Sequence, residues 1–311
     1  MGFDLDGLRA SVLAHGRVAR VVIARIEGSS PREVGAAMLV WADGQSGTIG
    51  GGALEYQAAK DARNATTDRL SRHALGPELG QCCGGRLTVL REIYDLARVD
   101  DITGDVIARS VDGSDMPLDV KRILAQARAQ GISPKSELNQ GWFIEPVHRP
   151  QQALWIWGAG HVGRALVSVL EPMPDLAITW VDTAPDRFPA QLPPGVTAVP
   201  AARPEVLVPH TPKDARHLIL TYSHTLDLAL CHALLTHGFD RCGLIGSQTK
   251  WARFRSRLTD LGHQITSIAR IECPIGDPTL GKHPQAIAIG VAHDILQVTG
   301  RKTPLYKGKT G

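Results

Sequence analysis

Residues 153–182 of the sequence read ALWIWGAGHVGRALVSVLEPMPDLAITWVD, and this stretch decides the fold of the second half of the chain. A short apolar run leads into GAGHVG, then into an apolar helical pattern and a second apolar run that ends in Asp182. Gly158, Gly160 and Gly163 have the spacing of a loop that opens the helix of a dinucleotide-binding β-α-β unit. An acid at the end of the second strand is placed to bind a ribose diol. The stretch therefore predicts a Rossmann-like unit in which these three glycines and Asp182 bind a cofactor.

The rest of the second half continues this alternation of strands and helices. Strands that alternate with helices form a parallel, doubly wound sheet, and ligands of such sheets bind beyond the carboxyl ends of the strands. Polar residues at 221–227 and 246–257 follow two of the predicted strands, so we expect both groups at that edge. The predicted strands lie at 196–199, 217–221, 243–245 and 265–268, and the predicted helices at 225–237, 247–262 and 284–298.

The polar residues at this edge leave two interpretations open. His224 either moves a proton or forms a hydrogen bond at the start of a helix. Lys250, Arg253 and Arg257 fall on one helix face, which predicts a solvated or anion-attracting surface. A nicotinamide-dependent oxidoreductase is one hypothesis for this half, with NAD(P) at the glycine loop and Asp182, and with His224 as the proton carrier.

The first half centres on residues 79–86, LGQCCGGR, in which glycines stand on both sides of two adjacent cysteines. Glycines lack the Cβ atoms that keep a ligand away from the backbone. We therefore expect this motif to face one bound species through Gln81, Cys82, Cys83 and Gly84. The alternative is a tight turn that buries two inert thiols, since free cysteine is among the most buried residue types.

A second glycine-rich loop, GTIGGG at 47–52, precedes a run of good helix formers. The unpaired N–H groups and the dipole at such a helix start suit a phosphate, so Gly50, Gly51 and Gly52 are predicted to bind one. Glu55 lies on the first turn of this helix. It is expected to cap the helix, or else to point at the ligand.

A third turn, GSSPR at 28–32, follows a β-branched run at 18–26 that predicts a buried strand. Arg32 is either placed to meet a phosphate or is a solvated loop charge. A natural boundary falls at His148-Arg149-Pro150, which divides the chain into domains at 1–149 and 150–311. The first domain is also predicted to contain helices at 5–16 and 117–130, strands at 37–41, 87–93 and 141–147, and a hairpin turn at 42–44.

The composition favours a soluble, two-domain α/β protein, with a mixed α/β domain followed by a Rossmann-like doubly wound parallel sheet. The chain has 311 residues, 43% apolar and 21% charged. A net charge of +3 gives no strong field for nucleic acid or an anionic membrane. Five cysteines are too sparse for a disulfide scaffold, and no apolar run reaches the roughly 18 residues of a membrane span. We expect a cytoplasmic protein with reduced thiols, and a homodimer on base rates.

The motifs of both halves together resemble the XdhC/CoxI family, accessory proteins of molybdenum hydroxylases, over nearly the whole chain. The resemblance rests on GSSPR at 28–32, GTIGGGALE at 47–55, LGQCCGG at 79–85, GAGHVG at 158–163, TYSHTLD at 221–227, GLIGSQTK at 243–250 and PIGDPTLGKHPQAIAI at 274–289.

The resemblance implies a protein that binds the molybdenum cofactor and holds it while a cysteine desulfurase replaces an oxo ligand by a terminal sulfido ligand. The protein then passes the cofactor to apo xanthine dehydrogenase, and is expected to be a chaperone for which any turnover belongs to the desulfurase partner. The cofactor offers a phosphate for Gly50 to Gly52 and a soft metal–sulfur centre for the thiolates of Cys82 and Cys83. Arg32 or Arg86 would favour those thiolates by their positive charge.

Two alternatives to this reading of the cysteines remain open. Zinc would need Cys231, Cys242, Cys273 or a histidine to join the adjacent pair, because neighbouring thiols are poorly spaced for a tetrahedral site. A purely structural or interaction protein would use Cys82 and Cys83 as packed core. TYSH at 221–224 and PIGDPTLGKHP at 274–284 depart from the family's pattern, which argues against chemistry in the Rossmann half.

Overall fold

In the computed structural model the described residues are 2–76, 84–150 and 152–302, with side chains described as far as residue 297. Gln81, Cys82 and Cys83 lie outside these residues. The chain divides into two compact units, Met1–Arg149 and Pro150–Gly311. Within the described parts of both units, no helix is long and apolar enough to cross a membrane.

The first unit contains a five-stranded antiparallel sheet. Its strands are β1 (Val18–Glu27), β2 (Ala37–Val40), β3 (Gln45–Gly47), β4 (Arg69–Ala74) and β5 (Arg86–Tyr94), in the order β3-β2-β1-β5-β4. The strands predicted at 18–26, 37–41 and 87–93 are confirmed, as is the hairpin turn at 42–44. Alternating residues of β1 face opposite sides of this sheet, so both faces need a packing partner.

Each face of this sheet is covered by a different layer. One face packs against Ala59 and Ala62 of a helix, and the other packs Val22 and Leu90 against Phe143 of a second, three-stranded sheet. The five-stranded sheet therefore lies between a helix and another sheet. The other elements described in full in the first unit are helices α1 (Leu5–His15), α2 (Gly52–Arg63), α3 (Leu96–Asp100) and α4 (Leu118–Gln130), and the antiparallel strands β6 (Val106–Ser110), β7 (Glu137–Asn139) and β8 (Trp142–Pro146), in the order β6-β8-β7.

A buried network of four charges joins the two sheets. Arg20 of β1 donates to Glu92 of β5 at 3.1 Å and to both oxygens of Glu145 of β8 at 2.8 and 2.9 Å. Arg109 of β6 donates to the same two carboxylates, at 2.9 Å from Glu92 and 2.6 Å from Glu145. Two positive and two negative charges offset each other, so removing one of them leaves a buried charge without its partner.

Glu145→Ala is expected to lower the free energy of unfolding by about 3–5 kcal/mol, because it leaves two buried guanidinium groups with one carboxylate. The matched control is Asp100→Ala, which breaks an exposed ion pair with Arg9 and should cost less than about 1 kcal/mol. Urea denaturation of both variants measures the difference. Equal costs would mean that the buried network contributes no more than a surface pair.

The second unit is a doubly wound parallel sheet, as predicted. Its six strands run in the order β11-β10-β9-β12-β13-β14, so the chain starts at the centre, builds one side and then crosses to the other. This strand order is that of a Rossmann fold. The elements are β9 (Gln152–Trp157), α5 (His161–Leu170), β10 (Leu176–Asp182), β11 (Val196–Pro200), β12 (Arg216–Ile219), α6 (His224–His237), β13 (Arg241–Leu244), α7 (Gln248–Asp260), α8 (Ile265–Ile268), β14 (Ile271–Glu272) and α9 (Pro284–Lys302).

The strand predicted at 265–268 is wrong. These residues form the single-turn helix α8, and the sixth strand is the shorter β14 that follows it. Ile265 is 76% exposed while Ile268 is 1% exposed. Ile268 packs in the core of the second unit and Ile265 stays in solvent, whereas a strand covered by helices on both faces would bury both. The β-branched composition of the segment favoured a strand, and tertiary packing overrode that preference.

His217 of β12 is buried in the core of the second unit and remains neutral there. The indole N–H of Trp157 donates to its Nδ1 at 3.2 Å. Burial, with a smaller contribution from His237, lowers the pKa of His217 to about 3. Protonation of this ring is therefore much easier in the unfolded chain than in the folded one.

The free energy of unfolding should fall as the pH drops below the unfolded pKa of about 6.5, and continue to fall until about pH 3. The contribution of His217 to this fall is about 3 kcal/mol between pH 7.5 and pH 4.5. His217→Asn keeps a hydrogen-bond acceptor for Trp157, but the asparagine does not titrate. Between pH 7.5 and pH 4.5 the free energy of unfolding of this variant should therefore fall by about 3 kcal/mol less than that of wild type. Urea unfolding at several pH values measures both slopes, and parallel slopes would contradict the prediction.

Candidate functional site

Three loops of the first unit meet on one surface, which we call the three-loop surface: residues 28–32, 48–52 and 84–86. The first follows β1, the second precedes α2 and the third leads into β5. A Cβ atom on Gly85 would lie 2.1 Å from the carbonyl oxygen of Ser29 and 2.9 Å from that of Glu27. Only glycine permits this approach of backbone to backbone.

The second loop touches the first through Gly50. Its φ is +122°, and a Cβ atom there would lie 2.6 Å from Cγ of Pro31 and 3.5 Å from Cγ of Arg32. Among the described residues, nothing lies within 4 Å of the Cβ positions of Gly51 and Gly84. The structure therefore brings the predicted site residues Arg32, Gly50, Gly51 and Gly84 to one surface. No described residue blocks the approach of a ligand to the backbone at Gly51 and Gly84.

Glu55 is bonded to the loop that precedes α2. Its Oε2 accepts hydrogen bonds from the hydroxyl of Thr48 at 2.5 Å and from the N–H groups of Ile49 and Gly51, each at 2.9 Å. Partial burial opposes ionisation, but these hydrogen bonds outweigh it and lower the pKa of Glu55. The carboxylate is therefore ionised at neutral pH. It accepts hydrogen bonds from N–H groups of the loop that the sequence predicted to bind a phosphate. Of the two expectations for Glu55, the structure confirms that its side chain caps the start of α2.

The structure describes Cys231, Cys242 and Cys273 but not Cys82 and Cys83. Cys82 and Cys83 lie outside the described residues, so their assignment as cofactor and metal ligands stays a prediction, as does that of Gln81. Burial raises the pKa of the free thiols of Cys231, Cys242 and Cys273, to about 11 at Cys273. These three thiols are protonated at neutral pH. The described residues contain no group of three or more histidines, cysteines and acids that could hold a metal ion.

The glycine loop of the second unit has the geometry that its spacing predicts. A Cβ atom on Gly158, whose φ is +123°, would lie 2.5 Å from the carbonyl oxygen of Leu220. One on Gly163 would lie 2.1 Å from the carbonyl oxygen of Gly158, so this glycine lets α5 pack close to β9. The Cβ position of Gly160 faces open space at the start of α5. Gly158 and Gly163 thus allow close packing, and Gly160 leaves room beside the start of α5.

Asp182 binds the protein's own backbone with both carboxylate oxygens. Oδ2 accepts from the N–H of Ala159 at 2.5 Å, and Oδ1 accepts from the N–H and the hydroxyl of Thr183 at 2.6 and 3.0 Å. Nε of Arg187 lies 3.4 Å from Oδ1. Asp182 therefore ties the glycine loop to the end of β10. Its binding of a ribose stays a prediction, and this geometry gives it a role within the fold.

Sequence reasoning missed an ion pair at the carboxyl edge of this sheet. Nζ of Lys250 donates to Oδ2 of Asp227 at 2.6 Å and to the carbonyl oxygen of Ile245 at 2.9 Å, with side chains 10% and 0% exposed. The expectation of a solvated or anion-attracting face is therefore wrong about solvation at Lys250, which binds a buried carboxylate, while Arg253 and Arg257 are exposed. An acid and a base on the first turns of helices after neighbouring strands were the signal that could have found this pair.

His224 does not provide the hydrogen bond at the start of α6. Ser223 is the N-cap, and its hydroxyl accepts from the N–H of Leu226 at 3.3 Å. His224 is the first residue of the helix and is exposed. The nearest aromatic contact of its ring is an edge-to-face one with Phe254, at 6.5 Å between centroids. Its role as a proton carrier stays a prediction.

Comparison with known proteins identifies both units. Residues 154–295 match the XdhC Rossmann domain, and residues 12–75 match the XdhC and CoxI family. The second match contains the loops at 28–32 and 48–52, and the first contains the glycine loop and the ion pair of Asp227 and Lys250. The chain belongs to the XdhC and CoxI family.

Two relatives extend this comparison. The chain is 25% identical to the YqeB protein of Escherichia coli K12 over 293 residues, which cover 90% of this chain and 43% of that protein. The chain thus spans less than half the length of this relative. A crystal structure from Bacillus halodurans described as a xanthine dehydrogenase superposes with a TM-score of 0.69 at 21% identity, over 98% of both chains. At this identity the likeness shows a shared fold.

Gly85→Ala is expected to destabilise the first unit by about 1–3 kcal/mol, because its methyl group would overlap the backbone at Ser29. The neighbouring change Gly84→Ala places its methyl group where no described residue lies within 4 Å, and it should alter the free energy of unfolding by less than about 0.5 kcal/mol. Denaturant unfolding of the two variants gives the comparison. Equal stability of both would show that the loops can separate without cost.

Proposed function

We propose that this chain serves the maturation of xanthine dehydrogenase by carrying the molybdenum cofactor as its cargo. The chain binds the cofactor at the three-loop surface and holds it while a cysteine desulfurase replaces an oxo ligand by a sulfido ligand. It then inserts the cofactor into the apo molybdenum subunit. Membership of the XdhC and CoxI family supports the role in maturation.

The observation that carries the proposal is the convergence of three separate motif loops on one exposed surface. Residues 28–32, 48–52 and 84–86 are far apart in the sequence, and close glycine contacts bring them together. Loops that carry function are commonly held in this way by a rigid sheet. The chemistry of the surface suits a cargo with a phosphate and a polar ring, since Arg32 supplies a positive charge and Gly51 and Gly84 leave the backbone open.

The properties of the described thiols also support the proposal. A soft metal–sulfur centre requires thiolates as ligands or as sulfur carriers. Cys231, Cys242 and Cys273 are held protonated by burial in the second unit. The remaining cysteines, Cys82 and Cys83, directly precede Gly84 of the three-loop surface in the sequence. They are therefore the thiols that we assign to the cargo.

A nicotinamide-dependent oxidoreductase has less support. Asp182 is only 4% exposed and its oxygens accept hydrogen bonds from Ala159 and Thr183, whereas a ribose diol needs an acceptor that the ligand can reach. His224 is exposed at the start of α6. We therefore assign the glycine loop of the second unit a structural role within the carrier.

Replacing the thiol that contacts the cargo should lower cofactor transfer at least tenfold. The test is to load the purified protein with released molybdenum cofactor and to measure how much activity it restores to apo xanthine dehydrogenase. Wild type, Cys82→Ser and Cys83→Ser are compared with Cys273→Ser, which removes a half-buried thiol of the second unit. The control should transfer within twofold of wild type.

The outcomes separate the three functional hypotheses. Loss of transfer in Cys82→Ser or Cys83→Ser alone supports the carrier. Equal transfer by all four proteins would mean that the paired cysteines are packing residues. Failure of the wild type to bind the cofactor would refute the proposal, and NAD(P) binding with hydride transfer would then favour the oxidoreductase.

A further inference from the structure

A cavity of about 370 Å³ in the first unit is bordered by β6, α4 and the segment that follows α3. We call it the β6 cavity. Its volume falls within the range of roughly 300–1,000 Å³ that small-molecule sites occupy. None of the residues of the three-loop surface lines it. Its wall includes the polar residues Tyr94 and Arg109 and the apolar residues Ile102, Val106, Met116 and Leu124.

Two buried polar groups of this wall have no hydrogen-bond partner in the described part of the chain. One is the hydroxyl of Tyr94, a residue that is 1% exposed. The other is Nη1 of Arg109, whose Nε and Nη2 donate to Glu92 and Glu145. A buried polar group without a partner costs free energy, and such groups are rare in folded proteins. Both groups belong to residues that line a cavity with room for the missing partner.

The partner that satisfies both groups is a hydrogen-bond acceptor. Burial raises the pKa of Tyr94 above its ordinary value, so its hydroxyl keeps the proton at neutral pH and can donate it. A guanidinium has donors only. A carbonyl oxygen has two lone pairs, one for each of these donors.

The charges at the β6 cavity favour a neutral acceptor over an anion. Arg109 already binds two carboxylates. Arg98, which lines the same cavity, is paired with Asp68 at 2.7 Å. Asp101 adds a negative charge to the wall. Both cations of the wall are thus already paired, and an anion would be taken out of water without a charge to compensate for it.

The apolar side of the cavity leaves α4 loosely packed. Of the 13 residues of this helix, only Val120 is buried. Leu124 is half-buried and lines the cavity, as does Met116 just before the helix. An apolar group placed in the cavity would remove more of these two side chains from water, which favours its binding.

We propose that the β6 cavity binds a small neutral molecule with an apolar body and a carbonyl oxygen. The oxygen accepts hydrogen bonds from the hydroxyl of Tyr94 and from Nη1 of Arg109, and the body packs against Met116 and Leu124. This site is separate from the three-loop surface, and the proposal does not depend on the proposed function of that surface.

Acetophenone, ethylbenzene and benzoate are matched probes of this site. They share an aromatic ring, and they carry a neutral carbonyl group, no acceptor and a charged carboxylate, respectively. Titration of the full chain, followed by ligand-observed NMR, gives their dissociation constants. Wild type should bind acetophenone about tenfold more tightly than ethylbenzene, since two donors gain an acceptor. Benzoate should bind more weakly than acetophenone.

Three variants locate the binding. Tyr94→Phe keeps the ring and removes the hydroxyl, so it should weaken acetophenone binding about fivefold and leave ethylbenzene binding unchanged. Leu124→Trp fills the cavity and should weaken the binding of both neutral probes by about tenfold or more. The matched control Leu118→Trp adds the same side chain to α4 at a position that is 69% exposed, and it should bind all probes as wild type does.

Each contrary result overturns the proposal in a different way. Equal affinity of wild type for acetophenone and ethylbenzene, or unchanged acetophenone binding in Tyr94→Phe, would mean that the polar groups take no part. Tighter binding of benzoate would make the cavity an anion site. Unchanged binding in Leu124→Trp would place the probes elsewhere, and a wild type that binds no probe would mean that the cavity holds water alone. If Leu124→Trp does not fold, Tyr94→Phe still decides whether the hydroxyl takes part.

Discussion

Both loop systems of this protein depend on contacts between backbone atoms that no side chain could allow. In the first unit Gly85 lies against the carbonyl oxygen of Ser29, and in the second Gly163 lies against that of Gly158, with 2.1 Å left for a Cβ atom in each case. The first contact assembles the three-loop surface. The second sets α5 against β9 in the Rossmann sheet. Without these approaches the motif loops would stand apart, because each is carried by a different strand.

The buried charge network and the contact of Gly85 with Ser29 lie on the same pair of strands, β1 and β5. Arg20 and Glu92 face each other across β1 and β5, and beyond a register shift between Ile23 and Arg25 the same two strands pair Glu27 with Arg86 at their end. That end is where the loops at 28–32 and 84–86 begin. A shift of register by one residue would turn every side chain to the other face and separate the four charges. Stability in the interior and geometry at the surface are thus set by one strand pairing.

Several charged groups in the described residues hold loops. Asp182 binds the loop that begins at Gly158, Asp227 and Lys250 join the segments after β12 and β13, and Glu55 holds the loop before α2. Each of these charged groups therefore has partners within the protein, and these contacts hold the loops that contain the sequence motifs.

The sequence by itself determined the Rossmann unit, the hairpin at 42–44 and the existence of the motif loops. These features follow from spacing and periodicity over short stretches of chain, where local geometry dictates the outcome. Tertiary structure decided that Glu55 holds the predicted phosphate loop, that Asp182 binds backbone, that Lys250 turns inward to Asp227, and that 265–268 is a helix. Each of these outcomes depends on which distant segments become neighbours and on how far the side chains are buried. Local sequence patterns encode neither of these properties.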